Sequence, residues 1–227
     1  MTDFSDNQIS QKSLFLKDEA IIIFIKNPQL GKVKTRLAAT VGDVRALEIY
    51  HILMQHTKAV TNDLSTEKYL FYSAFVDEQD IWENEKYHKS LQYEGQDLGM
   101  KMAVAFTETF QKNHSKVLII GSDCLELNQE IIKKGYEQLS HNEVVIGPAN
   151  DGGYYLIGFN FNRIGERAEK VLKEFFVDKE WSHERVFQEA IEVCQQQNLG
   201  YFELPTLTDV DEEKDYLKTQ HLAMRLS

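Results

Sequence analysis

The sequence predicts an α/β fold: a single domain of three layers, α/β/α, with helices on both faces of a mixed, mostly parallel sheet. Two observations carry that reading. Short apolar runs at residues 20–25, 69–75, 116–120, 143–146 and 154–159 are continuous rather than alternating, as strands covered on both faces require. Among them lie stretches in which apolar residues recur at helical spacing: 43–61, 98–112, 129–139, 163–176, 183–197 and 211–226. Alternation of the two signals marks a sheet wrapped by helices. A length of 227 residues suits one core, and with only 3 prolines no linker announces a second domain. Residues 1–18 are polar and are expected to form a tail or an extra helical turn, leaving 19–227 as the domain.

Charge and composition narrow the class. There are 36 Asp and Glu against 25 Lys and Arg, a formal charge of −11. That balance argues against a nucleic-acid surface, which needs bases clustered over a whole face. No apolar run approaches the ~20 residues that span a bilayer, and the first residues lack a charged-then-apolar leader pattern. Cys124 and Cys194 form neither a disulfide framework nor a paired metal motif. These features lead to the expectation of a cytoplasmic protein with reduced thiols.

The first buried run leads into Asn-Pro-Gln-Leu-Gly-Lys-Val-Lys-Thr-Arg-Leu, residues 27–37. Lys26, Lys32, Lys34 and Arg36 stand there without a single acid, in a chain that is acidic overall. A loop at the carboxyl end of the first strand is a usual ligand position in α/β sheets. Gly31 would let the backbone approach a phosphate, with Lys34, Thr35 and Arg36 beside it. A P-loop is excluded, because Lys26 and Val33 stand where Gly and Ser or Thr are needed, and a dinucleotide fingerprint needs three glycines. The alternative is a solvated basic turn.

Two acidic stretches follow. Val-Leu-Ile-Ile-Gly-Ser-Asp-Cys, 117–124, delivers Asp123 at the end of a buried strand. Carboxylate oxygens suit Mg²⁺ or Mn²⁺, commonly completed by substrate phosphates; Asp123 would equally serve as a turn or cap residue. In Asp209-Val210-Asp211-Glu212-Glu213-Lys214-Asp215, alternate side chains share a side if the segment is extended. Acids also favour the first turn of a helix. A basic loop with two distant acidic strand ends makes a coherent set, in which a metal bridges the carboxylates to a diphosphate whose remaining charge meets Lys and Arg.

Between these lies Gly-Pro-Ala-Asn-Asp-Gly-Gly-Tyr-Tyr-Leu-Ile-Gly, 147–158. Asn-Asp-Gly-Gly is a strong hairpin signal. It also permits a pocket floor, with Gly152 and Gly153 allowing close approach and Asp151 accepting hydroxyls or acting as a general base.

Taken together, Lys26-x-Pro28-x-x-Gly31-x-x-Lys34-Thr35-Arg36-Leu37, Gly121-x-Asp123-Cys124-x-x-Leu127, the run at 147–158, Trp181-Ser182-x-x-x-Val186 and Asp209-Val210-Asp211-x-x-x-Asp215 resemble a family. It is the glycosyltransferase-like group of the nucleotide-diphospho-sugar transferase (GT-A) fold, of the radical-SAM/selenodomain-associated transferase 1 type, related to phospholactate guanylyltransferase. This chain departs from the family pattern with Leu125 where Pro is usual, Glu212 where Thr is usual, and Met100-Lys101 where Glu-Arg is usual. The resemblance implies a GT-A domain and a nucleotide and phosphate site at Lys26, Gly31, Lys34, Thr35 and Arg36. It implies metal ligation of Mg²⁺ or Mn²⁺ by Asp123 and Asp211, a sugar or acceptor side at Asp151, Gly152, Gly153 and Trp181, and Asp151 as the catalytic base. The implied activity is glycosyl transfer from a nucleoside-diphosphate sugar to a small-molecule acceptor. The alternatives are nucleotidyl transfer from an NTP to a phosphorylated small molecule, or a nucleotide-binding module without turnover.

Overall fold

The computed structural model describes residues 18–95 and 97–223. The expected tail at 1–18 lies outside these residues except for Asp18, whose main-chain carbonyl accepts from the N–H groups of Ser115 and Lys116.

Seven strands form one sheet: β1 Glu19–Ile25, β2 Glu67–Tyr72, β3 His88–Leu91, β4 Lys116–Ile120, β5 Val144–Pro148, β6 Tyr154–Asn160 and β7 Tyr201–Glu203. Their order is β3-β2-β1-β4-β6-β5-β7. Only β6 runs against its neighbours; β1 pairs in parallel with β2 and β4, β2 with β3, and β5 with β7. The mixed, mostly parallel sheet expected from the continuous apolar runs is therefore present. Two strands went unpredicted. The polar sequence of β3, His-Lys-Ser-Leu, carries no apolar run, and β7 has only three residues.

The helices are α1 Thr35–Val41, α2 Asp43–Asn62, α3 Leu98–Phe110, α4 Gln129–Leu139, α5 Phe161–Ile164, α6 Ala168–Phe176, α7 Val186–Gln196 and α8 Glu213–Ala223. The stretch expected as one helix at 163–176 is broken by Gly165, whose φ of 63° interrupts the helical path, and a 3₁₀ turn joins the halves. The helix expected from 183 begins at Val186, because 183–185 form a loop. The last helix begins at Glu213 rather than 211, because Asp215 accepts from the N–H groups of Asp211 and Glu212 and so fixes the start of the turn.

Side-chain alternation along the strands divides the core. Ile21, Ile23 and Ile25 of β1 join one cluster with Leu37, Leu53, Ile132, Leu139 and Tyr216 from α1, α2, α4 and α8. Ala20 and Ile22 face the other way, into a cluster with Phe106, Phe161, Phe176 and Ile191 from α3, α5, α6 and α7. These are the two outer layers. No helix among the described residues is long and apolar enough to cross a membrane.

His56 shows how tightly the first face is packed. Its Nε2 lies 2.8 Å from the carbonyl oxygen of Leu127. A carbonyl only accepts, so Nε2 carries the proton and Nδ1 is the bare nitrogen, buried without a partner. Burial lowers the imidazole pKa below its ordinary value. The folded state therefore binds its proton less readily than the unfolded chain. The resulting stability is present above about pH 6.5, the unfolded value, and is lost as pH falls from there through the folded pKa. Between pH 7.5 and 5, the Tm of the wild type should fall by more than the Tm of His56→Gln, measured by calorimetry in matched buffers.

Candidate active site

With every strand but β6 running the same way, the carboxyl ends of β1, β4, β5 and β7 open on one edge of the sheet. Each candidate segment leaves the sheet there. The basic loop follows β1 and Asp123 follows β4. The turn 149–153 joins β5 to the returning β6. The stretch 204–211 follows β7, with Leu207 bridging in parallel to Ala149.

The basic loop ends in a conformation that aims one side chain. Lys32 N–H donates to Gln29 O, closing a turn in which Gly31 has φ 71°. Lys34 then adopts φ 47° and ψ 48°, a left-handed position at the head of α1 with no side-chain cap. Non-glycine residues are uncommon there, and the cost is about 1–3 kcal/mol. The gain is electrostatic. Lys34 Nζ reaches inward to Asp123 Oδ2 at 2.8 Å and Asp211 Oδ1 at 3.1 Å, and its side chain is only 8% exposed. Arg36, the second residue of α1 and exposed, closes on Asp211 Oδ2 at 3.3 Å. Lys26, Lys32 and Thr35 are exposed beside them.

Charges balance across this contact. Burial works against the Lys34 ammonium, yet the attraction of Asp123 and Asp211 holds its pKa above that of an ordinary lysine. Crowding by protein atoms raises the Asp123 pKa, and the ammonium more than reverses this, leaving Asp123 below the usual carboxylate range. Asp123 is not sealed off: 37% of its side-chain surface meets solvent. A Cβ on Gly121 would stand 2.7 Å from Asp123 Oδ1, so only glycine lets the carboxylate fold back at this distance.

Asp209 was not among the candidate residues: the Asp-x-Asp alternation covers it as well as Asp211, and the family resemblance singled out Asp211. Its Oδ1 is buried without a partner. Burial, with Asp123, Asp151 and Asp211 nearby, pushes its pKa well above the ordinary carboxylate range. The acidic segment is pinned by Val210 N–H to Asp123 O at 2.9 Å, and by Thr208 N–H to Glu126 Oε2 at 2.6 Å.

The structure thus brings Lys34, Arg36, Asp123 and Asp211 into direct contact, with Asp151 close enough to Asp209 to act on it electrostatically. Asp151 is exposed, and its Oδ1 accepts from Gly153 N–H at 2.9 Å. Asn150 Nδ2 donates to Thr208 Oγ1 at 2.8 Å, tying the turn to the acidic segment. Trp181 sits elsewhere. It packs against Phe176 and Tyr154 on the second core face, with its indole N–H buried and unpartnered.

Beneath the site, Tyr50 of α2 joins two strand ends. Its hydroxyl accepts from Lys26 N–H at 2.8 Å, donates to Lys26 O at 2.9 Å, and accepts from Ser122 Oγ at 3.2 Å. One phenol thereby spaces the basic loop from the segment that carries Asp123.

The residues present fit a divalent ion. Two carboxylates converge on one cationic position, and an unpaired buried carboxylate oxygen lies alongside. Among the described residues no group of three or more His, Cys, Asp or Glu side chains forms a complete metal cage. This is the pattern of an ion held by one or two carboxylates and completed by phosphate and water, as Mg²⁺ commonly is.

Residues 56–183 match a family described as an uncharacterized protein conserved in bacteria, DUF2064. The chain belongs to DUF2064. The matched span includes Asp123, Asp151 and Trp181, while the basic loop and Asp211 lie outside it. Among proteins with curated descriptions, none matches the sequence. A protein from Desulfovibrio desulfuricans G20, provisionally described as a nucleotide-diphospho-sugar transferase, is 26% identical with a TM-score of 0.74, over 92% of this chain and 98% of its own. The complex of Rv0371c with manganese from Mycobacterium tuberculosis H37Rv is 11% identical, with a TM-score of 0.54 over 89% and 97%. A CMP:2-keto-3-deoxy-manno-octonic acid synthetase complexed with CTP is 10% identical, with a TM-score of 0.55 over 92% and 99%. The last two share the fold alone. This DUF2064 chain has the nucleotide-diphospho-sugar transferase fold, and its likeness to the first structure supports transferase chemistry.

The Gly152 turn yields a direct test. Gly152 has φ 90°, and a Cβ there would lie 2.1 Å from the main-chain oxygen of Glu184, which cannot give way as a side chain can. At Gly153 the nearest atom is the exposed Asp151 Oδ1 at 3.2 Å. Gly152→Ala should lose more than about 2 kcal/mol in urea unfolding, with clash and left-handed strain combined. Gly153→Ala should lose about 1 kcal/mol or less, because the exposed Asp151 side chain can yield the small distance required.

Proposed function

We propose that this chain is a glycosyltransferase that uses a nucleoside-diphosphate sugar and Mg²⁺ or Mn²⁺, and passes the sugar to a hydroxyl of a small-molecule acceptor. The observation that carries this is the meeting of Lys34 and Arg36 with Asp123 and Asp211 at the carboxyl edge of the sheet. Bases for phosphate oxygens and carboxylates for a divalent ion stand there within one contact of each other.

In this reading Asp123 and Asp211 would hold the metal, which when bound offsets the charge growing on the leaving diphosphate. Lys34 and Arg36 neutralise the rest of that charge, and Lys26, Gly31 and Thr35 line the nucleotide. Asp151 is an exposed carboxylate whose direction is set by the Gly153 N–H. It takes the proton from the acceptor hydroxyl, with Gly152 and Gly153 shaping the turn beneath. Trp181 acts from behind, by packing on Tyr154 at the start of β6.

The charge on the acceptor side favours glycosyl over nucleotidyl transfer. Asp151 stands exposed at the turn with no base against it among its hydrogen bonds. A phosphorylated acceptor, as nucleotidyl transfer to a sugar phosphate needs, would approach this carboxylate against repulsion. A neutral hydroxyl would not, and it gains from a carboxylate base that a phosphate nucleophile does not need. One feature favours the second reading: four bases, Lys26, Lys32, Lys34 and Arg36, are more than a diphosphate requires and would suit a triphosphate.

The test is a thermal-shift panel of UDP, GDP, CDP and ADP, their sugar conjugates and the four triphosphates, each with and without Mn²⁺, followed by turnover of whichever ligand binds. A ligand that binds only the folded state raises Tm by mass action. A metal-dependent shift with one diphosphate and its sugar conjugate is expected. Asp123→Asn and Asp211→Asn should each lose at least about 100-fold in turnover while still melting cooperatively, since each removes charge stabilisation worth several kcal/mol. A larger shift with a triphosphate, together with release of pyrophosphate, would establish nucleotidyl transfer instead.

A further inference from the structure

We infer that the Lys34 ammonium is itself the cation of this site when metal is absent, so that a divalent ion enters only as Lys34 is drawn off by a polyphosphate. The inference rests on the assignment of Asp123 and Asp211 as metal ligands.

The geometry is specific. Lys34 Nζ bridges the two carboxylates at 2.8 and 3.1 Å, close to where an ion shared by them would have to lie. An ammonium and a divalent cation cannot occupy that space together, on grounds of both volume and charge. Asp211 has no oxygen to spare, because Oδ1 is held by Lys34 and Oδ2 by Arg36. The lysine is not a passing surface pair. Its side chain is 8% exposed, and its left-handed backbone (φ 47°) directs it inward. A flexible surface lysine would exchange with a metal freely; this one is built into the site.

The bridge makes a polyphosphate part of the metal's entry. Phosphate oxygens offer Lys34 an alternative anion and at the same time supply ligands that the two carboxylates lack. Metal and polyphosphate then bind with positive coupling, and by linkage each strengthens the other by the same factor. Removing the ammonium should uncouple them: the carboxylates become available to metal alone.

The experiment is a titration of purified full-length protein with Mn²⁺ alone, following loss of the free-ion signal by electron paramagnetic resonance. Lys34→Met, similar in length and uncharged, should bind Mn²⁺ about 10-fold or more tighter than the wild type, within the usual range of such couplings. Adding Asp123→Asn to Lys34→Met should abolish the gain. Because Lys34→Met leaves carboxylates unpaired, circular dichroism is recorded alongside. If that variant does not fold, Lys34→Gln, which keeps a hydrogen-bond donor without the charge, is titrated in its place. Equal Mn²⁺ affinity in wild type and Lys34 variants, with loss of binding in Asp123→Asn, would overturn the inference and leave the metal assignment standing. No Mn²⁺ binding in any folded variant, with or without added pyrophosphate, would overturn both.

Discussion

Three aspartates meet where this sheet opens, and their mutual repulsion is the constraint around which the rest is arranged. Asp123 and the Asp209-Val210-Asp211 segment come from distant parts of the chain and arrive at one partly enclosed position. Such a gathering is tolerated only if charge is removed or opposed. Both remedies are used. Asp209, buried and partnerless at Oδ1, keeps a strongly raised pKa. Asp123 keeps its charge because Lys34 is set against it. The left-handed backbone of Lys34 makes sense in this light, since its conformational cost is spent on placing one ammonium between two carboxylates.

Topology delivers the groups, and helices fix their spacing. Because β1 and β4 are adjacent and parallel, the basic loop and Asp123 leave the sheet side by side. Reversal at β6 returns the chain across the same edge, which puts the Asp151 turn beside the β4 end. The parallel pairing of β7 with β5 sends 204–211 back over the top, where Val210 N–H closes on Asp123 O. Tyr50 then sets the distance between the first two segments from below. The sheet therefore supplies convergence, and side-chain hydrogen bonds supply register.

Much of this was legible in the sequence, and what was not has identifiable causes. The inner strands could be read because burial on both faces demands unbroken apolar runs; β3 and β7 lie at the sheet edges, where His88, Lys89 and Ser90, or merely three residues, suffice. α1 was hidden because its first residues, Thr35 and Arg36, read as part of the basic loop and the helix has only seven residues. The residue types at the site could be read one by one, but the pairing could not: Lys34 meets Asp123 and Asp211 across 89 and 177 residues of chain. Asp209 escaped notice because its importance comes from burial, which an Asp-Val-Asp pattern does not reveal. Gly152 read as room for a ligand, and the structure fills that room with the backbone of Glu184.

The site is electrically divided, and that division restricts what it can accept. On the β1 side stand Lys26, Lys32 and Arg36, exposed and able to meet phosphate oxygens. On the hairpin side stands the exposed carboxylate of Asp151. A molecule that is anionic at one end and neutral with hydroxyls at the other fits this polarity in one orientation only. Under the proposed reading, a nucleoside-diphosphate sugar would set its diphosphate against the bases and its sugar toward Asp151. The Lys34 bridge to Asp123 and Asp211 lies between the two. Under the proposed glycosyl transfer, the lysine that bridges the two carboxylates would also offset the charge of the departing diphosphate.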